Sequence, residues 1–205
     1  MLKANHHTFH QWLLGNYVRF ILWRDFREII ITGDVKPDGR AVLLIPNHFS
    51  WWDGFFALHL NQKLFRKRIH LMMLERELSK RLFFTRAGAF SINHGSREVL
   101  ESLNYTAQLL EDANNLVVMY PQGKLGSQHL WEVNFRKGVE RVISSVNNVQ
   151  IVLSALLVDY YSHRRPTLTI ALKEYNGECT SHSLELAFNE HLQQSIRNQD
   201  NLFET

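Results

Sequence analysis

Cysteine is nearly missing from the 205-residue chain: Cys179 stands alone, which excludes an intramolecular disulfide framework and a zinc-ribbon site and fits a reducing compartment. A single thiol of this kind is expected to be buried and inert. Glycine and proline are scarce too, ten and four residues, so collagen-like and low-complexity architectures are excluded. At 45% hydrophobic residues the chain has enough apolar surface to fold, which argues against disorder. No apolar run reaches the ~18–20 residues that span a bilayer, since the longest, Ile151 to Val158, is interrupted by Ser154. The start Met-Leu-Lys-Ala-Asn-His-His lacks an apolar signal core followed by a small-residue cleavage site. The expected location is therefore the cytoplasm, with the chain peripheral on the cytoplasmic face of a membrane rather than crossing it. Neither sign of charge dominates: 23 basic against 20 acidic residues give +3, which attracts anionic partners weakly and lacks the basic stripe of a nucleic-acid binder.

Aromatic residues are plentiful and unevenly placed. Eleven of them fall between Phe9 and Phe56, and that crowding needs a cause. Over Phe9 to Arg27 the positions Phe9, Leu13, Tyr17 and Phe20, flanked by Trp12, Ile21 and Trp23, recur at helical spacing, with Gln11, Asn16, Arg19 and Arg27 among the polar positions. Such a helix either covers the core or, given Arg19, Arg24 and Arg27 beside its rings, lies in a membrane interface.

Strands are predicted at 29–32 and 41–45 around the turn residues Gly33, Asp34, Pro37, Asp38 and Gly39. The second stops at Pro46, and a helix is expected over 53–64. Next come a strand at 68–74, a short helix over 75–86 closed by Gly88, and a strand at 90–93. Ser96 suits the N-cap of a helix over 97–114. A strand at 116–120 halts at Pro121, and the loop to Leu130 leads into a helix ending near Val146. Strands at 149–160 and 167–175 precede a final helix over 183–198. Strands alternating with helices predict a single-domain α/β sandwich over residues 1–205, in which a central, mostly parallel or mixed sheet is flanked by helices and preceded by an amphipathic N-terminal helix over 1–28.

The segment Asn47-His48-Phe49-Ser50-Trp51-Trp52-Asp53 follows a buried-looking strand and opens a helix, the place where α/β sheets keep their active sites. A His and an Asp five apart across such a turn can bring carboxylate to imidazole, fixing the tautomer and leaving the far nitrogen free to take a proton from a hydroxyl. The competing reading is a loop histidine beside an N-cap aspartate. Ser50 reads as a turn or N-cap residue rather than a nucleophile, because no second base is placed to activate it. His6, His7 and His10 have metal-ligand spacing but an exposed terminus offers no supporting shell, so no metal is expected.

Asn47 to Asp53 resembles the Asn-His-x-Ser-x-x-Asp block of the glycerophospholipid acyltransferases, the family of bacterial 1-acylglycerol-3-phosphate acyltransferases. Gly88-Ala89-Phe90-Ser91-Ile92-Asn93-His94 resembles the second block of that family. Tyr120-Pro121-Gln122-Gly123-Lys124 is similar to the third, usually Phe-Pro-Glu-Gly-Thr, and Phe135-Arg136-Lys137-Gly138 to the Phe-Lys-Lys-Gly that follows it. Ile151 to Leu156 resembles the hydrophobic fourth block, so the motif-bearing core covers residues 41–157. Two blocks depart from the pattern. His94 stands where the second block has Arg, and Gln122, Lys124 and Leu125 where the third has Glu, Thr and often Arg; the family associates these positions with the phosphate of the acyl acceptor.

The resemblance implies transfer of a fatty acyl group from a thioester, acyl-CoA or acyl carrier protein, to a hydroxyl of a lipid-like acceptor at a membrane surface, with no resident cofactor. His48 is then the general base and Asp53 its orienting partner. Asn47, Ser50, Gln122, Gly123, Lys124, His94 and Arg97 are the expected substrate-binding positions. An Arg fork binds phosphate bidentately and a neutral His does not, so an acceptor with little phosphate character is expected, with Arg97 and Lys124 as replacement charge. The backbone at Gly123 can approach an anion or an oxyanion, or simply make a tight turn. Arg136 and Lys137 are placed to meet donor phosphates, or to be ordinary exposed charges. The Lys63, Arg66, Lys67, Arg68 cluster reads as solvated surface or as an attractor of anionic headgroups or an acidic carrier. Phe49, Trp51, Trp52, Phe55 and Phe56 are candidates for an acyl-pocket wall. The alternative to an enzyme is a catalytically inactive lipid- or carrier-binding relic of the same fold.

Overall fold

The computed structural model of the chain describes residues 1–93 and 98–200. Seven strands, β1 (Glu28–Thr32), β2 (Ala41–Pro46), β3 (Arg68–Leu74), β4 (Ala89–Ile92), β5 (Asn115–Val118), β6 (Val149–Asp159) and β7 (Thr167–Tyr175), form one sheet. Their order is β1-β7-β6-β2-β5-β3-β4. Every neighbouring pair is parallel except β6 with β7, so the sheet is mixed, with β2 in its middle. Among the described residues the α-helices are α1 (Thr8–Asp25), α2 (Asp53–Leu60), α3 (Glu75–Leu78), α4 (Phe83–Arg86), α5 (Glu98–Leu109), α6 (Gly138–Ile143) and α7 (Ser181–Asp200), and a π-helical turn over Asn61–Phe65 continues α2.

The β2 sequence shows no polar alternation because both faces of the sheet are covered. Ala41, Leu43 and Ile45 pack with Leu103 of α5, Val139 of α6 and Phe188 of α7, whereas Val42 and Leu44 pack with Val18 and Leu22 of α1 and Phe56 of α2. Two cores, one on each face, result from a single apolar run.

Four expectations change. The helix foreseen over 75–86 is two four-residue helices, α3 and α4; Ser79 turns its hydroxyl back onto the Arg76 carbonyl at 3.2 Å, the local bond by which serine competes with helix continuation. The helix foreseen from Leu130 to Val146 is confined to Gly138–Ile143, because α7 engages the backbone before it: Asn189 bonds both backbone groups of Val133, at 2.8 and 3.0 Å, and Glu185 accepts from the Phe135 N–H. Cys179 is exposed, since it lies between β7 and α7 where no core reaches it. The proposed Ser96 cap lies outside the described residues.

The fourth change concerns α1. Its inward face is Gly15, Val18, Ile21 and Leu22, not the aromatic positions. Phe9, Trp12, Leu13, Tyr17, Phe20 and Trp23 point out, Trp12 at 63% and Trp23 at 73% exposure. The helix is apolar on two sides. It is tied down at both ends, by the His7 N–H on the Arg86 carbonyl at 2.9 Å and by Arg165 on the Trp23 carbonyl at 3.0 Å. Among the described residues, no helix is long and apolar enough to cross a membrane.

Candidate active site

β2 ends at Pro46 and α2 begins at Asp53, so six residues turn the chain at the carboxyl end of the central strand. Asp53 organises that turn. One of its oxygens, Oδ2, accepts the backbone N–H of Phe49 at 2.9 Å and of Ser50 at 3.0 Å, and lies 2.7 Å from Nδ1 of His48. The carboxylate is fully buried while the imidazole keeps about a quarter of its surface open (26%). A carboxylate at Nδ1 favours the tautomer with the proton there, which leaves Nε2 with its lone pair toward the open side.

The sequence-assigned neighbours divide into clips and walls. Asn47 is buried and spends its amide on the backbone of Leu156, donating at 3.0 Å and accepting at 2.7 Å, so it fastens the loop to β6 instead of reaching a substrate. Gln122 commits its amide oxygen, which accepts the His48 N–H at 2.7 Å and ties the loop after β5 to the loop after β2. The Gly126 N–H on the His48 carbonyl, 2.8 Å, makes the second tie. Ser50 accepts from the Trp52 N–H through its hydroxyl at 3.2 Å, as a turn residue does. Gly123 adopts φ +64°, the left-handed conformation that favours glycine, and the Arg136 side chain lies against it. Nothing is described for His94 and Arg97, which lie outside the described residues.

His48 and Ser50 open onto a cavity of about 970 Å³, at the upper end of the ~300–1,000 Å³ usual for small-molecule sites. Its walls are apolar on both sides of the sheet edge. Leu14, Phe55, Leu58, Leu71 and Phe84 line one side and Met72, Ile92, Leu103 and Val139 the other. Trp51 and Phe55 stand at the wall in edge contact, ring centres 5.1 Å apart. Trp52 and Phe56 instead pack on Phe26, and Phe49 joins that core. Lys124 and Arg136 also line the cavity, and no carboxylate among the described residues pairs with either.

Sequence reasoning missed Tyr120 as an individual residue although it quoted the segment that holds it. The ring stacks on the His48 imidazole with centres 4.3 Å apart and planes at 27°. An aromatic ending a strand beside the proposed base was the available signal. The Lys63 to Arg68 cluster lies at the far end of β3 from the dyad, where Lys67 bonds the Ala113 carbonyl at 2.6 Å and Arg68 faces Asp112 at 4.0 Å. The N-terminal histidines pair with one another, His7 with His10 and His6 with the buried His70, which burial and the neighbouring His6 hold down to about 4 and hence neutral. Among the described residues, no group of three or more His, Cys, Asp or Glu is placed to hold a metal ion.

The structure is similar to that of the 1-acyl-sn-glycerophosphate acyltransferase of Thermotoga maritima, with a TM-score of 0.64 at 11% sequence identity over 93% of this chain and 79% of that one. Curated protein sequences give no match. The fold is therefore shared where sequence similarity is faint. The family model described as Acyltransferase matches residues 28–158, from β1 through the loop bearing His48 and Asp53 to the end of β6, and on that match the chain belongs to the acyltransferase family.

Proposed function

We propose that the chain is an O-acyltransferase that moves a fatty acyl group from a thioester, acyl-CoA or acyl carrier protein, to a hydroxyl of a lipid-like acceptor, working peripherally on the cytoplasmic face of a membrane. The observation that carries this reading is the buried Asp53 holding His48, 2.7 Å away, at the edge of a large apolar cavity. Nε2 of His48 takes the proton of the acceptor hydroxyl as its oxygen attacks the thioester carbonyl. The tetrahedral centre collapses with loss of the C–S bond, and the proton on His48 passes to the leaving thiolate, giving an ester and a thiol. General-base assistance of this type contributes about 10²- to 10⁴-fold. The apolar walls accept the hydrocarbon, and Lys124 with Arg136 supplies charge for the phosphates of the donor. The acceptor itself is expected to carry little or no phosphate.

The outward aromatics of α1 support the membrane assignment. Six large apolar side chains left uncovered on one helix suit burial among lipid headgroups, and Leu82 and Phe83, also exposed, lie beside Arg81 near the N-terminal end of that helix. The test is incubation of the protein with labelled acyl-CoA or acyl carrier protein and a membrane lipid extract, with products identified by mass spectrometry. Wild type is expected to form an acylated lipid, and folded His48→Ala to lose about 10²-fold or more of that turnover. Full activity in His48→Ala rejects the dyad. No product from either donor, with lipid or carrier still bound, favours the inactive relic.

A further inference from the structure

Two polar atoms of the dyad neighbourhood are buried without a hydrogen-bond partner: Oδ1 of Asp53 and the hydroxyl of Tyr120. The first is an acceptor, the second a donor. Burying either one unpaired is costly, and the proposed acyl transfer uses neither. Tyr120 is held rigidly, because the Met119 N–H donates to the Leu44 carbonyl at 3.0 Å and continues the β5–β2 ladder to the residue before it. Its ring then lies flat on the imidazole, centres 4.3 Å apart. Asp53 constrains the edge of the His48 ring and Tyr120 constrains its face. Burial first, and then the charge of Asp53, raise the phenol well above its ordinary value, so it remains an O–H donor.

Resting on the acyl-transfer reading, we propose that Tyr120 is a positioning residue for His48: its ring fixes the imidazole plane, and its hydroxyl serves the free oxygen of Asp53 through one water. A donor on that oxygen draws charge away from the carboxylate and so weakens its hold on the imidazolium. Tyr120 would thereby keep His48 a free base at lower pH than Asp53 alone allows. The third block of the resembling family usually begins with Phe, so Tyr120→Phe removes the hydroxyl and keeps a ring suited to this position. The other charged groups around the base are Lys124 and Arg136 on the third-block side and Arg76, Glu77 and Arg81 on the β3–β4 side, all lining the same cavity. None of them is altered in the test.

The experiment is an NMR titration of the His48 ring, together with the pH profile of kcat/KM, in wild type and Tyr120→Phe. Expected is an upward shift of roughly half a pH unit in both, which is about a threefold loss of activity on the acid limb with the plateau unchanged. Tyr120→Leu removes the stack as well and is expected to lower kcat about tenfold at constant KM. Superimposable His48 titrations in wild type and Tyr120→Phe overturn the proposal, and so does a Tyr120→Leu variant that changes KM alone. If Tyr120→Leu does not fold, Tyr120→Phe decides by itself. The ring titration needs no turnover, so a failure here is distinct from a failure of acyl transfer, which His48→Ala reports.

Discussion

The loop after β2 and the outer face of α1 treat their side chains in opposite ways. In the loop most polar groups are committed, Oδ1 of Asp53 excepted: Asp53 Oδ2 gathers three donors, Asn47 two backbone groups of β6, and Gln122 accepts the amide of His48. On α1 the costly groups are apolar, and the fold leaves Phe9, Trp12, Leu13, Tyr17, Phe20 and Trp23 in water. The first region is largely closed on itself, whereas the second keeps six large apolar side chains uncovered. On the proposed function, rigid positioning serves chemistry at His48 and the uncovered apolar face serves adsorption.

The largest break in this comparison is Asp53→Ala. His48→Ala removes the proposed base but leaves the Phe49 and Ser50 N–H groups bonded to Asp53, so its melting temperature should fall less than that of Asp53→Ala. Asp53→Ala strands both N–H groups and releases the imidazole, so turnover should fall by about 10²- to 10⁴-fold and stability by about 2–4 kcal/mol. Denaturant melts of both variants beside their turnover check it. Equal melts for the two would show that Asp53 does not hold the loop.

The second prediction tests the bare face. Replacing Trp12, Phe20 and Trp23 together by Ser removes three exposed rings and touches none of the inward residues of α1. Binding to anionic vesicles, measured by sedimentation, should weaken by about 10²-fold, while activity on a short-chain, water-soluble acceptor stays within a factor of about three. A matching collapse of the melting temperature would mean that these rings pack in solution and that the interfacial reading is wrong.

The two regions were also unequally legible. The dyad could be read from the sequence because its partners are five residues apart on one turn, a spacing that by itself lets the carboxylate reach the imidazole. The aromatic helix could not be resolved: an apolar stripe has the same period whether it meets a core or a bilayer, and only the position of Val18, Ile21 and Leu22 against the sheet showed which stripe was inward. The helix begun too early at Leu130 failed for a related reason, since Glu185 and Asn189, some 50 residues away, take up backbone groups of that segment. The apolar strands read well because burial on both faces leaves a plain hydrophobic run.

Asn47 marks the boundary between the legible and the hidden, and it carries the smallest of these effects. Its place beside His48 in the first block invites a substrate-binding role, yet its amide is closed on Leu156, 109 positions later, by bonds of 3.0 and 2.7 Å. Asn47→Ala leaves the Leu156 N–H and carbonyl with one partner fewer in a buried place, a loss of about 1–3 kcal/mol. The loop that it anchors carries the base, so some loss of kcat should accompany the loss of stability, with KM for the acceptor unchanged. A rise in KM at unchanged melting temperature would return Asn47 to the substrate. The expected pattern, a lower melting temperature at constant KM, identifies the first block as two devices in one segment: Asn47 locks the turn to β6, and only then can Asp53 present His48 to the cavity.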